Sequence, residues 1–486
     1  MKLVRFLLTL STAALLAGCM SAKPPASTTS PWTPPSRAQK PDAVWEQLRA
    51  QTNDFSKPMT LAELADTALQ NNPASRKAWN DARAAVAQVA QAKGYFMPTL
   101  VANAGASREK TTAEPDTYDS GSTRYGPGLQ VNYLILNFGG GRKAAVEAAL
   151  QTVYAANFTF NRSIQDILLA AETAYYGVIS ANAGVLAAEA TVKDARTALE
   201  ATQIRKSAGT GTELDVLQAQ AAYDQSLYGL ANAQGLAMIA RGNLAQAIGV
   251  PADTELQVAE PTVDVTGPLG AQDMQKLIDG AMNRRPDIAA LRATLAAKKA
   301  TVTAVGSTLW PSLYFNGNVN RDYFKNISGN EMQDSDWSYG GGLSLQWTLF
   351  DGLQTLSAKR AAQAQADSMQ DQLKQAELAA SADVWARYHN YETALQKYKF
   401  STAFLNSASS SYDMALDSYK AGLKSILDLL NAENQLAQAR SQQIASRQET
   451  FTALANLAYS TGLLEKGGSE QVFENFSTPT KKDDQP

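Results

Sequence analysis

Four short motifs in this chain recur at one fixed spacing, and that spacing restricts the fold to two copies of one large unit. Asn72-Pro73 returns as Arg285-Pro286, Met97-Pro98-Thr99-Leu100 as Trp310-Pro311-Ser312-Leu313, Asp215-Val216-Leu217 as Asp428-Leu429-Leu430, and Ile248-Gly249 as Thr461-Gly462. The offset is 213 residues each time (286 − 73, 311 − 98, 428 − 215, 462 − 249), so the copies differ by little more than one compensated insertion. Solenoid repeats run to about 20 to 50 residues. This is a duplication of a much larger unit.

Glycine and proline punctuate each copy in the same way. Neither interrupts the 69 positions from Leu353 to Ala421, which are rich in Ala, Gln, Glu, Lys and Leu. These are good helix formers, and at about 1.5 Å per residue such a helix reaches roughly 100 Å. The first copy has its counterpart from Gly141 to Ala208, with Gly177 and Gly184 as the only interruptions. Gly209 and Gly422 stand where a C-terminal glycine cap ends each long helix, and a second helix of about 35 to 40 residues follows. Ile426, Leu429, Leu436, Ile444, Phe451 and Leu454 keep one narrow apolar seam on it, the pattern of helices packed on helices.

Two regions per copy change the period from helical to two. Leu100, Ala102, Ala104 and Ala106 alternate with Val101, Asn103, Gly105 and Ser107, and Leu129, Val131 and Tyr133 alternate with Gln130 and Asn132. In the second copy Leu313, Phe315, Gly317 and Val319 alternate with Tyr314, Asn316, Asn318 and Asn320; Leu343, Leu345, Trp347 and Leu349 alternate with Ser344, Gln346 and Thr348. Each pair predicts a hairpin of about ten-residue strands, at about 98–134 and 311–350, with polar loops over Glu109–Arg124 and Asp322–Asp336. Apolar-out, polar-in alternation of this length suits an outer-membrane barrel strand. Four strands cannot close a barrel, and open edges in lipid leave backbone groups unpaired at several kcal/mol each. Closure therefore requires several copies of the chain to share one barrel. Tyr95, Phe96, Trp310, Trp337, Tyr339 and Trp347, near the strand ends, suit an interfacial aromatic belt.

An export address precedes the repeat. Lys2 and Arg5 lead an apolar run from Phe6 to Leu16 that ends in Leu16-Ala17-Gly18-Cys19, which reads as a signal peptide over 1–18. Cys19 is the only cysteine, so no intramolecular disulfide is possible; it resembles the lipidated cysteine of a bacterial lipobox, and by that resemblance Met20 after it, not an aspartate, implies sorting to the outer membrane. Residues 19–57 hold Pro24, Pro25, Pro31, Pro34, Pro35 and Pro41 and read as an extended leader. The first copy then covers 58–258, a linker 259–270, the second copy 271–465 and a polar tail 466–486. After the signal no apolar run reaches the roughly 18 to 20 residues of a membrane helix. A net charge of −3 offers no basic excess for nucleic acid.

Taken together, the lipobox, the proline-rich leader, the two copies of helix, hairpin, long helix and helix, the run Arg284-Arg285-Pro286-Asp287 and the paired Asp-x-Leu motifs resemble the TolC family, and within it the OprM/NodT-type lipoprotein branch. The resemblance spans Cys19 to about Leu464. It implies a mainly α fold with a β-barrel portion: a homotrimer whose twelve strands form one outer-membrane barrel, continued by long coiled helices as a periplasmic tunnel. It also implies an exit duct for drugs or toxic compounds, anchored in outer-membrane lipid through Cys19, working with a periplasmic adaptor protein and an RND-type inner-membrane transporter, without a cofactor or metal.

The residues worth arguing over lie where the second helix of each copy begins. Thr212-x-x-Asp215 and Ser425-x-x-Asp428 have capping-box spacing, which alone accounts for both carboxylates. The resemblance adds that these positions ring the pore at the periplasmic tip, where like charges select for cations. Here the duplication breaks, for Lys206 is matched by Tyr419 and Gly211 by Lys424. In the family, residues at these second-copy positions latch the tip onto the first-copy aspartate, here Asp215. Asn431 replaces a second acid and Leu214 a hydroxyl found in other members, which makes the expected latch less connected. The gate set is thus Asp215, Tyr419, Lys424, Asp428 and Asn431.

Catalysis finds no constellation. His389 is the only histidine and lies mid-helix, and the Gly139-Gly140-Gly141 run lacks the lysine and hydroxyl of a phosphate loop. Two alternatives stay open: the outer-membrane component of a type I protein secretion system, and a structural or adaptor coiled-coil lipoprotein of the periplasm. The hairpins argue against the second.

Overall fold

The computed structural model describes residues 57–113, 118–261, 274–326, 334–464 and 468–469. The signal peptide, Cys19, the leader up to Ser56, most of the linker and nearly all of the tail lie outside the described residues. Eight α-helices are described: α1 (Leu61–Asn71), α2 (Pro73–Gly94), α3 (Gly141–Ser207), α4 (Glu213–Ile248), α5 (Met274–Arg284), α6 (Pro286–Gly306), α7 (Gln354–Lys420) and α8 (Ile426–Ser460). Four strands accompany them: β1 (Thr99–Ala113), β2 (Tyr118–Asn137), β3 (Ser312–Asn326) and β4 (Asp334–Gln346). The 213-residue offset holds at both ends of α3 and α7 (354 − 141, 420 − 207), which are 67 residues each. It also holds at both ends of β1 and β3 (312 − 99, 326 − 113).

The long helices end as their glycines require. Gly209 at φ +74 and Gly422 at φ +78 adopt the left-handed conformation, and the amides of Thr210 and Leu423 reach back to the carbonyls of Arg205 and Ser418 at 2.9 Å. The chain then turns back, so that α3 packs along α4 and α7 along α8, with α8 also against α3. Two apolar clusters hold these contacts. One joins Leu64, Tyr175, Tyr176, Leu244, Ile248, Phe451 and Leu457, from α1, α3, α4 and α8. The other, toward the helix turns, joins Ala198, Ala219, Tyr412, Tyr419, Ile426, Leu429 and Leu436. Alanines at these contacts let the helix backbones approach closely.

Two of the repeated motifs prove to be halves of one joint. A Cβ on Gly249 would lie 2.8 Å from the backbone of Asn71 and Asn72, and one on Gly462 3.0 Å from that of Arg284. Each glycine, at positive φ, thus lets the end of α4 or α8 press against the break before the proline that starts α2 or α6. The joint is pinned by side chains of different character. Asn72 caps α2 and donates from Nδ2 to the Ala247 carbonyl at 3.0 Å. Arg285, largely buried, makes a two-pronged contact with Asp287 at 3.1 and 2.8 Å and reaches Asp383 at 3.0 Å and the Ser460 carbonyl at 3.3 Å. The Arg-Pro-Asp run is therefore accounted for by packing.

The four strands form one antiparallel sheet in the order β1-β2-β3-β4. The central pair crosses between copies, with Leu129 opposite Val319 and Tyr133 opposite Phe315. The strands are longer than the ten residues expected, at 15, 20, 15 and 13. The polar ends expected to be loops stay in register, Glu109 with Ser122 and Asp322 with Asp336, because backbone pairing continues past the point where apolar alternation stops.

Candidate functional site: a one-sided sheet and two helix turns

Register sorts every sheet residue to one of two faces. Leu100 pairs with Val131 and Ala102 with Leu129; Val131, Leu129 and Tyr133 face Gly317, Val319 and Phe315; Phe315 and Leu313 face Leu343 and Leu345. All of these lie on one face, and Leu100, Leu129, Leu343 and Leu345 are exposed in the single chain. The opposite face carries Asn103, Gln130, Asn132, Asn316, Asn318, Asn320 and Ser344. A sheet that exposes Leu and Val on one side and Asn and Gln on the other is inside out for a water-soluble core. It fits lipid outside and water within. The described edge strands β1 and β4 each pair on one side only, leaving backbone groups for neighbouring chains to pair. No described helix is long and apolar enough to cross a membrane.

Exposed aromatic residues gather at both ends of the apolar face. Tyr95, Phe96, Phe138, Trp310, Trp347 and Phe350 lie at the helical end, and Tyr125, Trp337 and Tyr339 toward the hairpin turns. All six belt residues expected from the sequence are exposed, Tyr339 at 84%.

At the far end of the long helices the two turns are built alike at their caps. The Thr212 amide donates to Asp215 Oδ2 at 3.0 Å and the Asp215 amide to Thr212 Oγ1 at 3.2 Å. Ser425 and Asp428 repeat this at 3.1 and 3.2 Å. Hydrogen bonds from the Ser425 side chain and amide, aided by the nearby charge of Lys424, hold the Asp428 carboxyl below the usual carboxylate range. Lys424 and Asp428 line one shallow groove together with Ser407, Ser411 and Met414. Asn431 is exposed one turn further along α8.

Tyr419 is buried among Ile426, Leu429 and Ala201. Its hydroxyl has no hydrogen-bond partner, so within one chain it does not bond to Asp215. Burial raises its pKa, the charge of Arg205 opposes this and that of Asp215 adds to it. The residue that does hold Tyr419 is Arg205. Its Nη1 donates to the Tyr419 carbonyl at 2.6 Å, its Nη2 to the Thr210 carbonyl at 3.3 Å, and the guanidinium lies 4.7 Å over the tyrosine ring. Sequence reasoning missed it, although the same signal was present: its second-copy counterpart is Ser418 (418 − 205 = 213).

A second group escaped notice as well. Glu433, 6% exposed on α8, has one carboxylate oxygen without a partner. Burial and the neighbouring Asp194 push its pKa up to about 7, partly offset by Arg440. Arg440 binds Asp194 of α3 at 2.8 Å. His389, by contrast, sits on the surface, 2.8 Å from Glu392 and edge-on to Trp385.

Comparison with known proteins fits this geometry. The model of the outer membrane efflux protein family matches residues 64–250 and 277–463. The chain is 29% identical over 82% of its length to Protein CyaE of Bordetella pertussis, 83% of which is covered. It is 27% identical over 79% of its length to the pyoverdine export outer membrane protein OpmQ of Pseudomonas aeruginosa, 81% of which is covered. The outer-membrane channel OprN shares the fold at a TM-score of 0.73 and 23% identity, over 88% of this chain and 93% of that one. The four strands are one chain's share of an outer-membrane barrel and the long helices its share of a helical tunnel, as in these TolC-like channels. The chain belongs to the outer membrane efflux protein family, whose members are channels, and it serves as an outer-membrane exit duct.

Proposed function

We propose that three copies of this chain close a 12-stranded barrel and pass small molecules handed on by a periplasmic adaptor and an RND-type inner-membrane transporter. The observation that carries this reading is the one-sided sheet with two unpaired edges, which is unstable in lipid alone and complete only in a ring. A lipid on Cys19 anchors each copy beside the barrel, as an anchor and not a span. Asp215 and Asp428, repeated three times, ring the tip and favour cations in a narrow mouth. Tyr419 and Lys424 latch the resting tip, Asn431 leaves the ring one acid short per chain, and Arg205 belongs to the latch because it clamps the backbone of Tyr419. Adaptor contact releases this fastening.

Planar-bilayer conductance of the purified protein tests the reading. Small cation-selective steps are expected from wild type, with larger steps from the variant carrying Asp215→Ala and Tyr419→Phe. Absence of conductance from both would overturn the duct, while equal large steps would keep the duct and discard the latch. Export assays in cells lacking the gene separate small molecules from secreted protein. Failure to restore tolerance to any toxic compound, together with restored release of a protein, would favour a type I secretion component.

A further inference from the structure

Among the residues whose side chains are described, the membrane-side face of the sheet carries charge at one end only, and of one sign. Following the register, that face shows Leu100, Ala102, Ala104, Ala106 and Arg108 on β1, and Thr123, Tyr125, Pro127, Leu129, Val131 and Tyr133 on β2. On β3 and β4 it shows Leu313, Phe315, Gly317, Val319, Arg321 and Tyr323, then Ser335, Trp337, Tyr339, Gly341, Leu343 and Leu345. Among the residues whose side chains are described, Arg108 and Arg321 are thus its two charged ones, and no Asp or Glu is among them. On the opposite face Arg124 is paired with Asp322, which also accepts from Ser338 at 3.2 Å.

Height places both arginines at the rim. The helices leave the sheet from the start of β1 and the end of β2, so with the helices in the periplasm the hairpin turns face outward. From Leu313 to Tyr323 are ten steps of about 3.3 Å, which at a tilt of about 40° rise roughly 25 Å, the height of an outer-membrane apolar band. Arg321 lies just inside that rim and Arg108 beyond it. Arg321 is also dressed for the interface, with its guanidinium 5.2 Å from the Trp337 ring and 5.8 Å from the Tyr323 ring. Tyr323 stacks on Tyr125 at 5.5 Å. One bond, to Ser335 Oγ at 2.7 Å, occupies one end of its planar fork of five donors.

An arginine fork matches phosphate geometry, and aromatic faces beside it exclude water and fix its plane. We infer that Arg321, with Arg108 further out and the Tyr323–Trp337 cradle between lipid and water, binds phosphate groups of lipids in the outer leaflet, forming a cationic collar around the barrel. The inference rests on the reading of the sheet as a barrel segment. It requires nothing of the helix turns or the cargo.

The test is native mass spectrometry of the detergent-purified, lipidated protein titrated with a diphosphorylated glycolipid, the same glycolipid with its phosphates removed, and inorganic phosphate. Wild type is expected to retain the phosphorylated lipid, and the variant carrying Arg108→Gln and Arg321→Gln at least about fivefold less, since a charge-assisted fork contact is lost. The dephosphorylated lipid should bind both proteins alike. Equal retention by wild type and variant overturns the collar; displacement of the lipid by millimolar inorganic phosphate overturns the lipid as occupant in favour of free phosphate. Lys424→Gln, at the far end, must leave retention unchanged. Bilayer conductance separates the two readings: a variant that conducts but has lost lipid supports the collar, whereas a wild type without conductance fails the barrel itself.

Discussion

The two helix turns are copies of one sequence, yet two positions flanking them are surface in the first copy and core in the second. Positions 206 and 213 of the first copy hold Lys206 and Glu213, an exposed ion pair across the turn. The same positions of the second copy, 419 and 426, hold Tyr419 and Ile426, at 2% and 4% exposure. Exposed ion pairs contribute about 0 to 1 kcal/mol, whereas a buried apolar side chain contributes about 1.5 to 3 kcal/mol. Both turns leave leucines in solvent, Leu214 and Leu217 at the first and Leu423 and Leu427 at the second. The two turns thus differ most at the positions of Lys206 and Glu213, matched by Tyr419 and Ile426. A latch between unlike halves requires that difference.

The comparison breaks most sharply at the residue beside each aspartate. Leu429→Ala should destabilise by about 2 to 5 kcal/mol, as for a buried leucine that leaves a cavity, because Leu429 is fully buried. Its counterpart Val216→Ala, half-buried, should cost under about 1.5 kcal/mol. The midpoint of thermal dissociation of each oligomer reads this, and equal shifts would mean that the turns are equivalent after all.

Titration sharpens the contrast next. Glu433 has as its counterpart the neutral Gln220 (433 − 213 = 220), which bonds to Asp224 at 2.9 Å. The folded pKa of Glu433, raised to about 7 from the usual 4.5, means that the folded state holds its proton more tightly than the unfolded chain does. Its contribution is therefore most favourable below about 4.5, declines as pH rises, and is lost above about 7. The melting temperature of wild type relative to Glu433→Gln should fall between pH 5 and pH 8, and a flat difference would exclude Glu433 as the titrating group.

Arg205→Ala removes two carbonyl contacts and the ring contact, and should cost about 1 to 3 kcal/mol locally. Faster amide exchange around Gly422 and larger conductance steps should follow, while Lys206→Ala should change either by little. The smallest effect is expected from Tyr419→Phe on stability, within about 0.5 kcal/mol, because the hydroxyl it deletes is buried without a partner. If this variant nevertheless widens conductance, the hydroxyl acts in the assembled tip; if it changes neither, Tyr419 serves packing alone.

Much of this was legible in residue order because its causes are local. Helix length followed from the absence of glycine and proline, the ends from Gly209 and Gly422, the caps from Thr212 and Ser425, and the strands from period two. Strand length was underestimated because hydrogen-bonded pairing outlasts the side-chain alternation used to find it. At the candidate site, Asp215 and Asp428 were found through capping spacing, whereas Arg205, Glu433, Arg440 and Asp194 were not. Their partners lie 214 and 246 residues away, for Tyr419 and for the Arg440–Asp194 pair, and no local pattern records such a contact.

The sequence by itself determined that there are two copies, that each is a long helical hairpin joined to a short strand pair, and that the strand pairs are apolar on one side. Only the tertiary structure decided that β2 pairs with β3 to merge the copies into one sheet, that Arg108 and Arg321 share its membrane face, and that Tyr419, Ile426 and Leu429 beside the second turn are buried. Local properties are set by neighbours in the chain and can be read there. Pairing, facing and burial depend on which distant surfaces meet, and that is fixed by the packing of the whole.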